Sequence, residues 1–301
     1  MNMLKTIRKN IAKKVGVSAL VDHLEKVARV QAQKAILNQR SKDSQEVLVS
    51  DQSGVVVSLT SYGNRVHDCH LVVESIGMQS VRPERILLWL DESEFSYNNL
   101  PIALKCLEHR GLEIRFCPNY GPYKKLVPTL EICKDFDIVT VDDDVLYPSD
   151  MIEGFITESR IHERVVLSNM AHQITYHTDG VVRSYKDWCF STEDYAISRN
   201  NFPVGLGGIF YPKGTFDSRC GNVSVFMDIC PTADDIWFKL AALANNVQSK
   251  RVGEGRSFKH RFLEMESSMA DSALFRRNIF SGNNDVQLKK SLKYFGVELS
   301  K

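Results

Sequence analysis

Short apolar runs rich in β-branched residues punctuate the middle of this chain. They are Val55-Val56-Val57-Ser58-Leu59, Arg85-Ile86-Leu87-Leu88-Trp89-Leu90, Leu112-Glu113-Ile114-Arg115-Phe116, Asp137-Ile138-Val139-Thr140-Val141 and Val165-Val166-Leu167-Ser168. Runs that do not alternate with polar residues read as strands covered on both faces. Between them Leu71–Gln79, Ile102–His109, Val127–Cys133 and Ser149–Glu158 read as helices. Strand and helix alternate at βα spacing from Val55 to Asp144, which predicts an α/β fold: a Rossmann-like, mainly parallel sheet flanked by helices.

The first 40 residues follow a different rule. Leu4, Ile7, Ile11 and Val15, then Leu20, Leu24, Val27 and Ala28, recur at three- and four-residue steps, with a break expected near Gly16. The opposite face is rich in Lys and Arg. Such a helix suits an anionic membrane surface, and equally an oligomerising or domain-packing helix with a solvated basic face. Residues 41–54 are polar and read as a linker. The expected organisation is a basic amphipathic extension over 1–45, a main domain over 46–265 and a helical tail over 266–301.

Composition narrows the class. The chain has 301 residues, 43% hydrophobic and 25% charged, ordinary values for a soluble domain with a full core. Its net charge of +1 conceals +7 in residues 1–40 and −6 in the remainder, so the main domain is not built for nucleic acid. Cysteines at 69, 106, 117, 133, 189, 220 and 230 form no CxxC pair, which suggests neither a zinc site nor a disulfide framework and fits a reducing cytosol. No apolar run is long enough to span a bilayer, and the N-terminus lacks a signal peptide's apolar core. A cytoplasmic location is expected, at the inner membrane face if the basic helix binds lipid.

The chemistry concentrates where the fourth strand stops, at Asp142-Asp143-Asp144. Carboxylates at a strand's carboxyl end lie where open α/β sheets keep their ligands. Crowded like charges need a counter-cation or a raised pKa, and hard oxygen ligands suit Mg²⁺ or Mn²⁺ shared with phosphates. The plainer reading is a helix cap at Asp144 or Ser149, which accounts for one acid rather than three. Ser58 and Thr60 close the first strand, followed by Arg65, and suit a nucleotide's phosphates or a simple strand-to-helix turn. Asp91 ends the second strand and could accept from a base or ribose, or open a turn. Lys124 and Lys125 follow a Gly-Pro turn and could meet a diphosphate, or lie solvated.

Farther on, Tyr176, Tyr185, Trp188, Phe190 and Tyr195 suit a sugar platform or the core. Gly207 and Gly208 precede an apolar strand and permit close backbone approach. Thr232-Ala233-Asp234-Asp235 reads as a capping box opening a helix, with carboxylates able to take a proton in a cleft. His260 lies among cations, either structural or a metal ligand.

Taken in order, the Ser-Leu-Thr-Ser strand end, the triple Asp, the Gly-Gly strand and the Ala-Asp-Asp helix start resemble nucleotide-sugar-dependent glycosyltransferases of the GT-A fold, particularly bacterial enzymes of surface-polysaccharide synthesis. The resemblance covers about Val55–Phe262. It implies that Asp142 and Asp144 hold Mn²⁺ or Mg²⁺ on the donor diphosphate, with His260 as a further ligand. It implies Asp235, or alternatively Asp234, as the base on the acceptor hydroxyl. Ser58, Thr60, Tyr62, Arg65, Asp91, Lys124, Lys125, Asp143, Gly207 and Gly208 would bind the donor, a UDP-sugar being favoured. The acceptor would be a saccharide or lipid-linked saccharide in lipopolysaccharide or capsule synthesis, with inversion expected. Ala-Asp-Asp stands where many inverting members have Glu-Asp. Two rivals remain: a metal-dependent phosphohydrolase or nucleotidyltransferase, and a non-catalytic sugar-nucleotide-binding module.

Overall fold

The computed structural model describes residues 2–265 and 282–299, with side chains from residue 20 onward. Of the expected tail, 266–281 and 300–301 lie outside the described residues.

The apolar runs pair as expected into one seven-stranded sheet. Its members are β1 (Val55–Thr60), β2 (Arg85–Asp91), β3 (Leu112–Cys117), β4 (Asp137–Thr140), β6 (Val166–Ser168), β9 (Ile209–Tyr211) and β10 (Ser249–Arg251). The spatial order is β10-β6-β9-β4-β1-β2-β3. All strands run the same way except β9, which is antiparallel to both β4 and β6. Val55, Val57, Leu59, Ile86, Leu88 and Val139 fill one face, and Val56, Leu87, Ile138 and Val166 the other. This double burial is why the strands read as unbroken apolar runs.

Helices α2 (Cys69–Gly77), α3 (Ile102–Glu108), α4 (Val127–Ile132) and α5 (Met151–Ile161) connect the strands where the periodicity placed them. Beyond β4 come β5 (Val145–Leu146), β7 (Ala171–Gln173) and β8 (Asn201–Pro203), then α6 (Val223–Ile229), α7 (Asp234–Ala244), α8 (Phe258–Arg261), β11 (Leu263–Glu264) and α9 (Asn283–Phe295). β11 pairs antiparallel with β5, and β7 with β8. Such two- and three-residue strands carry too little pattern to be read from sequence.

The N-terminal segment departs from expectation. It is one helix, α1 (Asn2–Asp43), continuous through Gly16. Val30 and Leu37 are buried, while Leu20, Val21 and Leu24 are exposed. Fully buried Glu74 of α2 ion-pairs with Arg40 of α1 at 3.0 Å and with Arg110, anchoring the helix. The presumed linker also packs. Leu48 is fully buried, and a Cβ on Gly77 would lie 2.2 Å from its Cδ2, so the glycine makes room for it.

One topological feature positions the site. The chain builds β1, β2 and β3 outward in one direction, then returns to place β4 on the other side of β1. A crevice opens at such a reversal, beyond the strands' carboxyl ends. Because β9 runs backward, the turn that precedes it reaches the same edge.

Candidate active site

Asp142, Asp143 and Asp144 occupy the turn between β4 and β5, at that reversal. The backbone N–H of Asp142 donates to the Tyr147 hydroxyl at 2.8 Å, and the Asp144 carbonyl accepts from the Met265 N–H at 2.7 Å. The antiparallel pairing of β5 with β11 thus holds the acidic turn.

The carboxylates share two cations. The Asp143 carboxylate accepts from the Ser61 hydroxyl at 2.5 Å and pairs with Arg65 Nη1 at 3.0 Å. Arg65 Nη2 pairs with Asp144. Ser61 and Arg65 both follow directly from β1, so the two strands at the reversal supply opposite charges to one cleft. Lys125, from the turn after β3, lies 3.0 Å from Asp142 Oδ1 and 3.2 Å from Asp234 Oδ2. Asp235 accepts from the Gly205 N–H at 3.2 Å, and its Oδ1 is sealed from solvent with no hydrogen-bond partner among the described residues.

The site carries more negative charge than it neutralises: five carboxylates surround the two cations Arg65 and Lys125. Burial, then Asp142, push Asp144 up to about 7. Burial, then Asp234, push Asp235 up to about 7. Burial raises Asp143 to about 6 despite Arg65. Burial alone would lower Lys125, but Asp142, Asp234 and Asp235 outweigh it and hold the ammonium well above its ordinary value. Excess carboxylate of this kind, with an orphaned oxygen at Asp235, is chemistry that suits a divalent cation.

The expected metal set is not assembled in full. His260 is exposed and its Nδ1 lies 2.5 Å from Arg29 Nη1 on α1. Among the described residues no three His, Cys, Asp or Glu side chains group as a metal cage. The cations that flank His260 in sequence have a counterpart in space, because α1 brings Arg29 onto it.

Other expected donor contacts are dispersed. The Ser58 hydroxyl is fully buried against that of Thr129 at 2.7 Å, which also accepts from Trp89 Nε1. Thr60 donates to the Trp89 carbonyl at 2.8 Å. Tyr62 stands half-open at the rim with the Arg65 guanidinium 5.2 Å over its ring. Asp91 and Lys124 form a separate pair at 4.0 Å on the β2–β3 side. Burial would raise Asp91, but two hydrogen bonds from Ser93 and the charge of Lys124 hold it below the usual carboxylate range.

Gly207 and Gly208 answer to packing. A Cβ on Gly207 would lie 2.8 Å from the Phe258 ring and 3.0 Å from the Met170 nitrogen, and Gly208 has φ +76°. Gly205 is the glycine at the acids, where a Cβ would lie 3.1 Å from Lys125 Nζ and 3.3 Å from Asp142 Oδ2. Sequence reasoning passed over Gly205, Ser61 and Tyr147. Ser61's place one residue beyond the hydroxyl-ended strand was the one available signal.

The capping box at Thr232 does not form. Ala233 occupies the N-cap, and the Thr232 hydroxyl meets Gln287 of α9 at 3.0 Å. Both acids of α7 are therefore free of capping duty. Tyr185 and Trp188 are buried beside Phe202, with ring centroids 4.6 and 5.2 Å apart along that series, which assigns them to the core.

No protein-family model matches the chain, and no curated protein does. Among solved structures it is similar to residues 1–349 of S. aureus TarS, at 15% identity and a TM-score of 0.46, covering 81% of this chain and 72% of that one. The same TarS segment in complex with UDP gives 16% identity and a TM-score of 0.46, covering 80% and 70%. The mannosyltransferase PcManGT from Pyrobaculum calidifontis, in complex with GDP-Man and Mn²⁺, gives 12% identity and a TM-score of 0.43, covering 77% and 65%.

Proposed function

We propose that this chain is a metal-dependent GT-A glycosyltransferase that moves a sugar from a nucleoside-diphosphate donor, a UDP-sugar being favoured, to a hydroxyl of a saccharide or lipid-linked acceptor. The observation that carries this reading is the meeting of Asp142 and Asp144 with Asp235 at the β1–β4 reversal, around Lys125 and Arg65.

Asp142 and Asp144 would hold the cation, Mn²⁺ or Mg²⁺, which when bound neutralises charge developing on the diphosphate. Arg65 and Lys125 lie on either side of that position and exchange carboxylate partners for phosphate oxygens, adding fixed positive charge where the leaving group forms. Ser61 keeps Asp143 turned toward Arg65 and so keeps the guanidinium in place. Asp235 takes the proton from the attacking hydroxyl. A carboxylate raised to about 7 accepts a proton far more readily than an ordinary one. Asp235 acting as the base, with Asp234 as its alternative, suits direct displacement with inversion. Surface-polysaccharide synthesis is the setting favoured by the order of motifs, and the basic residues of α1 favour a place at the inner membrane face. Among the described residues no helix is long and apolar enough to cross a membrane.

The test is a nucleotide-sugar panel with and without Mn²⁺, read as release of UDP or GDP. Metal-dependent release that Asp144→Asn removes, in a protein that melts normally, is the expected result. Full activity in that variant overturns the assignment. Pyrophosphate release without sugar transfer would favour the nucleotidyltransferase reading instead.

A further inference from the structure

A cavity of about 480 Å³ lies between α5 and the segment from Val252 to Arg261, outside the acidic cluster. At ~30 Å³ per water this space equals some sixteen waters, room for a mono- or disaccharide. It adjoins the site through one short turn. The Gly205 N–H donates to Asp235 at 3.2 Å, while the Gly207 carbonyl accepts from Asn169 Nδ2 at 3.0 Å, and Asn169 lines the cavity.

The wall chemistry is polar and mixed. Asp150, Glu153, Glu158 and Glu254 face Arg256 and Arg261. Asp150 bridges both arginines, Arg256 at 2.5 Å. Glu158 pairs with Lys250, and the remaining acids, Asp150, Glu153 and Glu254, still outnumber the two arginines, which disfavours a phosphate or carboxylate. Fixed donors and acceptors at short spacing suit the hydroxyls of an uncharged sugar.

We infer that this groove binds the acceptor, and that the acceptor's recognised unit is an uncharged pyranoside. The inference rests on the glycosyl-transfer reading. The Asn169 end of the groove abuts the Gly205–Gly207 turn, whose first residue donates to Asp235.

Gly154 provides the test. It lies in α5 on the groove wall, and a Cβ there meets nothing within 4 Å. Gly154→Trp fills the groove, whereas Gly154→Ala adds one methyl to the same helix and leaves the space open. Binding is read by saturation-transfer NMR on the full chain. The probes are the methyl glycosides of glucose, galactose, mannose and N-acetylglucosamine, with glucose 6-phosphate as the charged probe. At least one methyl glycoside should bind the native chain and the Gly154→Ala variant, and bind Gly154→Trp at least tenfold more weakly. Glucose 6-phosphate should bind at least tenfold more weakly than the best methyl glycoside. Absence of all methyl glycoside binding in the native chain, undiminished binding in Gly154→Trp, or preference for the phosphate overturns the inference. Melting curves of both variants report folding. Stabilisation by UDP or GDP with Mn²⁺, measured on the native chain, reports the donor reading separately.

Discussion

Lys125 Nζ stands 3.0 Å from Asp142 Oδ1 and joins the end of β4 to the start of α7 through its second partner, Asp234. A single buried ammonium thus couples the proposed metal-holding turn to the helix that bears the proposed base. Its removal leaves Asp142, Asp234 and Asp235 with Arg65 as the remaining cation of the cleft. Deleting one partner of a buried pair costs about 3–5 kcal/mol, and the 29% exposure of the Asp142 side chain places Lys125→Met near the lower end. The deficit should shrink as pH falls below 7, because Asp235, raised to about 7 by burial and then by Asp234, binds a proton that the unfolded chain does not. Urea unfolding at pH 5.5 and 7.5 measures both effects.

Arg65 spans two carboxylates with two nitrogens, a geometry that lysine cannot reproduce. Arg65→Lys should therefore keep the charge but lose the fork. Donor affinity in the presence of Mn²⁺ should fall about tenfold, equivalent to ~1.4 kcal/mol. Calorimetric titration with UDP decides this, and an unchanged affinity would remove Arg65 from the donor site.

Much of the architecture was legible because double burial writes itself into the sequence. Val55-Val56-Val57 and Leu87-Leu88 could be read as strands without tertiary information, and β4 could be followed to its acids. Asp142 to Asp144 and Asp235 stand out in the sequence because charge is rare beside a buried strand or at a helix start next to apolar residues. The partners were harder. Lys125 reads as a partner for a diphosphate or as a solvated lysine, and only the fold carries it onto Asp142. Gly207 and Gly208 looked like the ligand-facing glycines, yet Phe258 and a positive φ account for them, while Gly205 faces the acids. His260 could not be placed at all without knowing that α1 folds back and sets Arg29 against it. The unbroken α1 shows the same limit: one glycine weakens a helix by only about 1 kcal/mol, which neighbouring residues offset.

The anchoring of α1 yields a stability prediction. Glu74 is fully sealed from solvent between Arg110 and Arg40, whose side chains are 6% and 16% exposed. Glu74→Ala strands two guanidinium groups and should cost about 3–5 kcal/mol. Glu74→Gln keeps the shape and some hydrogen bonds and should cost less. Chemical denaturation of the two variants measures the difference.

Lys239 offers a pH signature away from the proposed metal. It is buried in α7 with its ammonium 2.9 Å from the Ser249 hydroxyl, and burial, aided by Arg199, lowers it to about 7. The unfolded lysine binds a proton up to its ordinary value, so between pH 7 and 10 the unfolded chain holds the extra proton. Stability contributed by this group must therefore rise with pH across that window, by at most ~1.4 kcal/mol per pH unit. Lys239→Met should flatten the rise, as read from melting temperatures at pH 7, 8 and 9.

The most direct measurement is a crystal structure of the chain with Mn²⁺ and a UDP-sugar, read by the anomalous signal of manganese. The expected result is one manganese bound to the carboxylates of Asp142 and Asp144 and to the donor's diphosphate, with Arg65 and Lys125 turned onto phosphate oxygens. A donor bound elsewhere, or those two carboxylates still closed on Arg65 and Lys125 with no ion between them, would contradict it.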